Sequence, residues 1–149
     1  MIFSVLIVDD NKTDRYILQR RLAKLSRDIE VLEATNGVEA LEMFSDYHAK
    51  REKDPQTYPP LLVFLDINMP IMDGFGFLES FHHVGADSEL GSTVVVMFTA
   101  SHKDDDKERS LQWDLVKDYV VKGAFSADSL ERIFQEHLAA KQPSDMPDS

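Results

Sequence analysis

The chain has 149 residues, 43% of them apolar, a formal net charge of −11 and no cysteine. That length and apolar content suit one domain with its own core, and so acidic a surface repels phosphate backbones and argues against direct nucleic-acid binding. Disulfides and thiolate chemistry are excluded, and no apolar run nears the roughly 20 residues of a membrane span.

The first ten residues run from apolar to acidic, without the basic region or small-residue cleavage site of a signal peptide. A cytoplasmic protein with no membrane insertion is therefore expected. Residues 3–8 predict a buried strand. Asn11 caps a helix on which Leu18, Leu22 and Leu25 share a face. The basic residues are scattered; Arg20, Arg21 and Lys24 on this helix are the densest group, too sparse for a phosphate-binding patch. Residues 29–34 form a second, weaker strand. Asn36 and Gly37 signal a turn, after which Val38, Leu41 and Phe44 keep helical spacing. Residues 61–65 are a third strand, and Gly74 opens a helix carrying Phe77, Leu78 and Phe81. Residues 93–98 are a fourth strand rich in β-branched side chains, followed by a modest helix over 103–111. Residues 119–121 anchor a fifth strand. Ser126 caps a last helix striped by Leu130, Ile133, Phe134 and Leu138. Residues 47–60 and 85–92 read as polar connections. A single domain over 1–141 is expected to end in a mobile polar tail, 142–149.

Five βα units in succession predict an α/β fold: a five-stranded parallel sheet, doubly wound as (βα)5 in the flavodoxin-like manner, with right-handed crossovers. Such sheets bind ligands at the carboxyl ends of their strands. Those ends carry Asp9 and Asp10, Asp66, Thr99 and Lys122. Three carboxylates drawn together need a cation, and an oxygen-only ligand set selects a hard one such as Mg²⁺. A lysine and a hydroxyl beside it make a phosphoryl cradle.

Each residue also has a plainer reading. Asp9 and Asp10 suit a helix N-terminus, Asp66 a solvated strand end, Thr99 a strand interior and Tyr119 a core. Asp104, Asp105 and Asp106 read as a solvated helix start, and Phe75, Phe77 and Phe81 as packing. The histidines, including His82 and His83, have no metal-ligand spacing, and Trp113 is open between core and partner surface.

The ordered set of Val8-Asp9-Asp10-Asn11, the run from Leu65 to Gly74 with its Asp66, Met69-Pro70 and Asp73-Gly74, Phe98-Thr99-Ala100 and Asp118 to Lys122 resembles the CheY-like receiver domains of two-component response regulators. The resemblance covers about residues 3–140. It implies that Asp66 accepts a phosphoryl group from a histidine kinase or phosphotransfer protein. It implies that Asp10, Asp66 and the Asn68 backbone carbonyl ligate Mg²⁺, with Asp9 acting through water. Lys122 and the Thr99 hydroxyl would contact phosphoryl oxygens. Tyr119 would be the switch aromatic that turns inward as Thr99 moves, the signal being read by a downstream protein on the face of the fourth helix, fifth strand and fifth helix. Asn68 and Ser101 stand where the family tunes dephosphorylation.

One departure stands out: the family usually places proline after the lysine, and this chain has Gly123. Three rival functions remain: a degenerate receiver that binds proteins without taking phosphate, a phosphohydrolase and a flavin-binding protein. Against the hydrolase, position 68 is asparagine and the nucleophile would end the third strand, not the first. Against the flavoprotein, Asp9 and Asp10 stand where a phosphate loop would be. With no output domain evident, the expectation is a stand-alone response regulator or a phosphorelay carrier.

Overall fold

The apolar runs lie side by side in one sheet. A computed structural model describes residues 2–45, 50, 52–54, 60–84 and 93–138. Its strands are β1 (Ile2–Val8), β2 (Asp28–Ala34), β3 (Leu62–Leu65), β4 (Val94–Thr99) and β5 (Val116–Val121). All pair in parallel, in the order β2-β1-β3-β4-β5. The central strands β3 and β4 are buried along their whole length, which is why they read as unbroken apolar runs. The edge strands alternate with solvent and read more faintly. Thus β5 starts three residues before the expected 119, because Lys117 and Asp118 belong to an edge strand that a register shift at Val95 and Val96 offsets from β4.

The helices are α1 (Lys12–Ala23), α2 (Gly37–Phe44), α3 (Gly74–Val84), α4 (Asp104–Leu111) and α5 (Ala127–Ile133), the last running into a π-helical turn, Phe134–Leu138. Two apolar layers cover the sheet. On one face Leu6, Val8, Val63, Leu65, Val95 and Met97 meet Phe44, Phe77, Leu78 and Phe81 of α2 and α3. On the other, Val5, Ile7, Phe64, Val96 and Phe98 meet Leu18 and Leu22 of α1 and Leu130, Ile133, Phe134 and Leu138 of α5. The expected helical stripes are the buried ones on α1, α3 and the last helix, Leu25 packing against this second layer from its edge. On α2 the expectation is corrected, since Val38 faces solvent and the buried face is Gly37, Ala40 and Phe44, with Leu41 partly buried beside it.

Local chemistry sets the helix starts. The Asn11 side chain accepts from Asp14 N at 2.9 Å, and the Ser126 hydroxyl from Ser129 N at 3.3 Å within a capping box. Asn36 does more than turn the chain: it is the N-cap of α2 and accepts from Glu39 N at 3.0 Å. Trp113, left open by the sequence, packs against the α2–α3 layer, with its ring 5.7 Å from that of His82. Phe75, Phe77 and Phe81 are buried in packing. Arg21 is held by the Phe125 carbonyl at 2.8 Å and lies over that ring. Most of the connection 47–60 and all of 85–92 and 142–149, except 60 and the few residues named above, lie outside the described residues. No helix among the described residues is long and apolar enough to cross a membrane.

The loop from β3 to α3 is stitched at both ends. Gly74 N donates to Ile67 O at 2.8 Å and Gly37 N to Met72 O at 2.9 Å. A Cβ at Gly74 would lie 2.3 Å from the carbonyl oxygen of Asp66, so no larger residue fits without moving the strand end. Gly74→Ala is expected to destabilise the fold by about 1–3 kcal/mol, as overpacking against rigid backbone does. Urea unfolding of the two proteins measures it.

Candidate functional site

The sheet ladder carries two acids past the ends of the central strands. Asp9 N donates to Ala34 O and Asp66 N to Val8 O, each at 3.0 Å, so both residues continue the parallel pairing by one position. They emerge where the strand order reverses around β1, the usual ligand edge of a doubly wound sheet. Asp9 and Asp66 are buried, at 2% and 7% exposure, and Asp10 faces solvent. Asp9 Oδ1 accepts from Asn11 N at 2.9 Å and Asp66 Oδ1 from Ile67 N at 2.8 Å, leaving each Oδ2 turned inward.

Lys122 is the first residue after β5 and opens a three-residue 3₁₀ turn, Lys122–Ala124. Its Nζ lies 2.6 Å from Asp9 Oδ2, 2.8 Å from Asp14 Oδ2 and 3.1 Å from Asp66 Oδ2. Lys122 therefore reaches Asp66 with Gly123 beside it. Gly123 is exposed, and no described glycine has a positive φ, so the conformational freedom of glycine is not used at that position. Asp14, one helical turn beyond Asp10, was not singled out by its sequence context, although an acid at that spacing faces the same helix end.

Burial alone would lower the Lys122 ammonium pKa. The hydrogen bond to Asp14, the close contact with Asp9 and the charges of Asp66 and Asp9 outweigh it and hold the group above the ordinary lysine value. For Asp9, burial is the largest influence and pushes the carboxyl above its ordinary 3.8; the Asp66 charge adds to it, and Lys122 and the Asn11 N–H oppose it. Asp9 Oδ2 is buried and, though close to Lys122, accepts no aligned hydrogen bond. Asp9, Asp10 and Asp66 each offer an oxygen, all within 4.8 Å of one another. Three convergent carboxylates with an unfilled buried acceptor fit a hard, oxygen-seeking cation.

Thr99, the last residue of β4, is fully buried, and its Oγ1 accepts from Ser101 N at 3.3 Å. Ser101 is the junction the sequence did not disclose. Its carbonyl accepts from the Tyr119 hydroxyl at 3.1 Å, and its own hydroxyl donates to Asp106 Oδ2 at 2.6 Å. Asp106 is thus tied into the loop, not merely solvated. Tyr119 packs inward against the α2–α3 layer, and burial, opposed by the Ser101 bond, pushes its phenol above the ordinary value. Asn68 is exposed on the β3–α3 loop and lines a cleft of about 630 Å³ with Ala100, Ser101 and Arg109.

A second cluster forms away from this edge. His137 Nε2 lies 3.7 Å from Asp118 Oδ2 and 3.9 Å from Glu136 Oε2, so the fold supplies carboxylate neighbours that histidine spacing alone did not suggest. The Arg132 guanidinium, 4.0 Å from both carboxylates, offsets part of their charge.

The profile of the response regulator receiver domain family matches residues 5–134. The chain is 34% identical over 134 residues to a probable transcriptional regulator, ycf27, of Cyanidium caldarium, covering 90% of this chain and 45% of that one. It thus spans less than half the length of such a relative. Among solved structures, the phosphorylated cyanobacterial phytochrome response regulator RcpA is 26% identical with a TM-score of 0.69, covering 94% of this chain and 96% of that one. CheY in a CheX–CheY–BeF3–Mg complex from Borrelia burgdorferi is also 26% identical, with a TM-score of 0.68 over 89% and 87% of the two chains.

Because the folded-state pKa of Asp9 lies above its unfolded value, its ionised form costs stability at neutral pH. That cost fades as pH falls through the raised value towards 3.8. Metal-free Asp9→Asn is therefore expected to be more stable than the parent at pH 7, the difference shrinking towards pH 4. Urea titrations in a chelator at the two pH values measure the trend.

Proposed function

Because the chain belongs to the response regulator receiver domain family, we propose that Asp66 accepts a phosphoryl group from a histidine kinase or a phosphotransfer protein in the cytoplasm, with Mg²⁺. The observation that carries this reading is the buried Asp66 carboxylate, 3.1 Å from the Lys122 ammonium and within cation-sharing distance of Asp9 and Asp10. The reach of Lys122 supports this reading over an interaction module that takes no phosphate, for which Gly123 was the main ground.

In the transfer, an Asp66 carboxylate oxygen bonds to phosphorus as the P–N bond of a phosphohistidine breaks; the departing imidazole nitrogen keeps the electron pair and takes up a proton. Asp10, Asp66 and the Asn68 carbonyl would hold Mg²⁺, with Asp9 acting through water. The bound ion supplies neutralisation of charge on the phosphoryl oxygens. Lys122 turns from Asp66 Oδ2 to a phosphoryl oxygen, and the Thr99 hydroxyl donates to another. No separate base is needed, since the nucleophile is already a carboxylate. The protein is thus a signalling protein that promotes only its own phosphorylation.

Phosphorylation adds about 1.5–2 negative charges and three acceptor oxygens. Thr99 is joined to Tyr119 through Ser101, so a pull on the Thr99 hydroxyl reaches the aromatic ring and the α4–β5–α5 face. A downstream protein that binds this face in a phosphorylation-dependent way, or onward transfer in a phosphorelay, is the proposed output.

Incubation with a small phosphodonor such as acetyl phosphate and Mg²⁺ is expected to add one phosphoryl group, read by intact mass. Asp66→Asn and chelation of Mg²⁺ should each abolish it. A wild-type protein that takes no label, or an Asp66→Asn variant labelled equally well, would overturn the proposal.

A further inference from the structure

We propose that Asp14 is a positioning residue for Lys122: it anchors the ammonium through a carboxylate that stands outside the cation site, so that Lys122 stays at the mouth of the site when Asp9 and Asp66 turn to a cation. This inference rests on the reading of Asp66 as phosphoacceptor.

The three N–H donors of the ammonium face three carboxylates, those of Asp9, Asp14 and Asp66, at 2.6, 2.8 and 3.1 Å. Two of these acids belong to the convergent group of Asp9, Asp10 and Asp66; Asp14 does not. A divalent cation among those three would compete for the oxygens that Lys122 now holds and would repel the ammonium. Asp14 is the carboxylate partner that survives this exchange; the Phe98 ring, 5.9 Å from the ammonium, is the weaker contact beside it.

The backbone around Lys122 provides little alternative support. Its 3₁₀ turn has no side-chain cap, and beyond its own chain neighbours nothing packs within 4 Å of where a Gly123 Cβ would sit. Asp14, by contrast, sits on a fixed base. It lies in the first turn of α1, its N–H bound to the Asn11 side chain at 2.9 Å, and α1 is pinned by buried Leu18 and Leu22. Its side chain is 32% exposed, at the rim between α1 and the strand ends.

An acid in a first helical turn also suits the helix dipole, and that role alone would leave Lys122 indifferent to its loss. A second plain role, charge, predicts the opposite sign. Removing a carboxylate from the mouth would ease the approach of an anionic donor and lower its half-saturating concentration. Loss of an anchor instead lowers the rate at saturating donor.

The test compares wild type, Asp14→Asn and Asp14→Glu in two measurements. With saturating Mg²⁺, when Asp9 and Asp66 turn to the cation, the ¹H–¹⁵N signal of the Lys122 ammonium, visible when its protons exchange slowly, is expected to be lost in Asp14→Asn and restored in Asp14→Glu. With acetyl phosphate and Mg²⁺, the saturating phosphorylation rate should fall about threefold or more in Asp14→Asn, a coupling typical of groups in direct contact, and recover in Asp14→Glu. Urea unfolding verifies that all three proteins fold. An ammonium signal unchanged in Asp14→Asn, or a saturating rate equal to or above wild type, overturns the proposal. Wild type that takes no label sinks the reading of Asp66, and the ammonium signal still decides whether Asp14 anchors Lys122.

Discussion

One ammonium group holds the carboxyl edge of this sheet together. Lys122 follows β5, Asp9 follows β1, Asp66 follows β3 and Asp14 lies in α1, and their charged ends meet within 3.1 Å of a single nitrogen. Buried aspartates at 2% and 7% exposure are tolerable only with such a partner. Without it, the reversal of strand order around β1 would gather unpaired negative charge at the point where the fold most needs to be compact. The same crowding brings three carboxylates within 4.8 Å of one another, a ligand set that suits a hard cation, with one ammonium at its edge.

The surrounding backbone is fitted to keep that edge rigid. Gly74 allows α3 to begin against the Asp66 carbonyl, and the Gly37 N–H ties the start of α2 to Met72 in the same loop. Between these points Ile71 adopts φ 70°, with its side chain 83% exposed. A β-branched residue in the left-handed region costs about 1–2 kcal/mol, and with so little of the side chain buried, packing offsets little of it. Strain of this kind persists where the structure on either side over-determines the chain, as the two stitched ends of the β3–α3 loop do here.

The end of β4 and the middle of β5 are joined by a different kind of element, a short polar relay. Ser101 touches Thr99 through its N–H, Tyr119 through its carbonyl and Asp106 through its hydroxyl. One residue thus joins the end of β4, the middle of β5 and the first turn of α4. Tyr119 is already inward, bonded to Ser101 and packed against the α2–α3 layer.

By itself the sequence determined the order of the elements, most of their buried faces, though not that of α2, where Val38 faces solvent, and the residues at the strand ends. Those are local properties: Val94 to Phe98 is apolar throughout because both sides of a central parallel strand are covered, and Asn11 and Ser126 cap helices through atoms three residues away. Edge elements were fainter, as at Lys117 and Asp118, because half their surface meets solvent and the apolar pattern breaks. The dual role of Asn36 was hidden for a related reason, since asparagine before glycine favours turns and caps alike. Only the tertiary structure decided which polar groups meet. Asp14 and Lys122 are 108 residues apart in sequence, and Asp118 meets His137 across a strand–helix packing contact. Periodicity encodes which face of an element is buried, whereas a polar contact requires two elements to be placed to within an ångström, and that placement comes from the packed core as a whole.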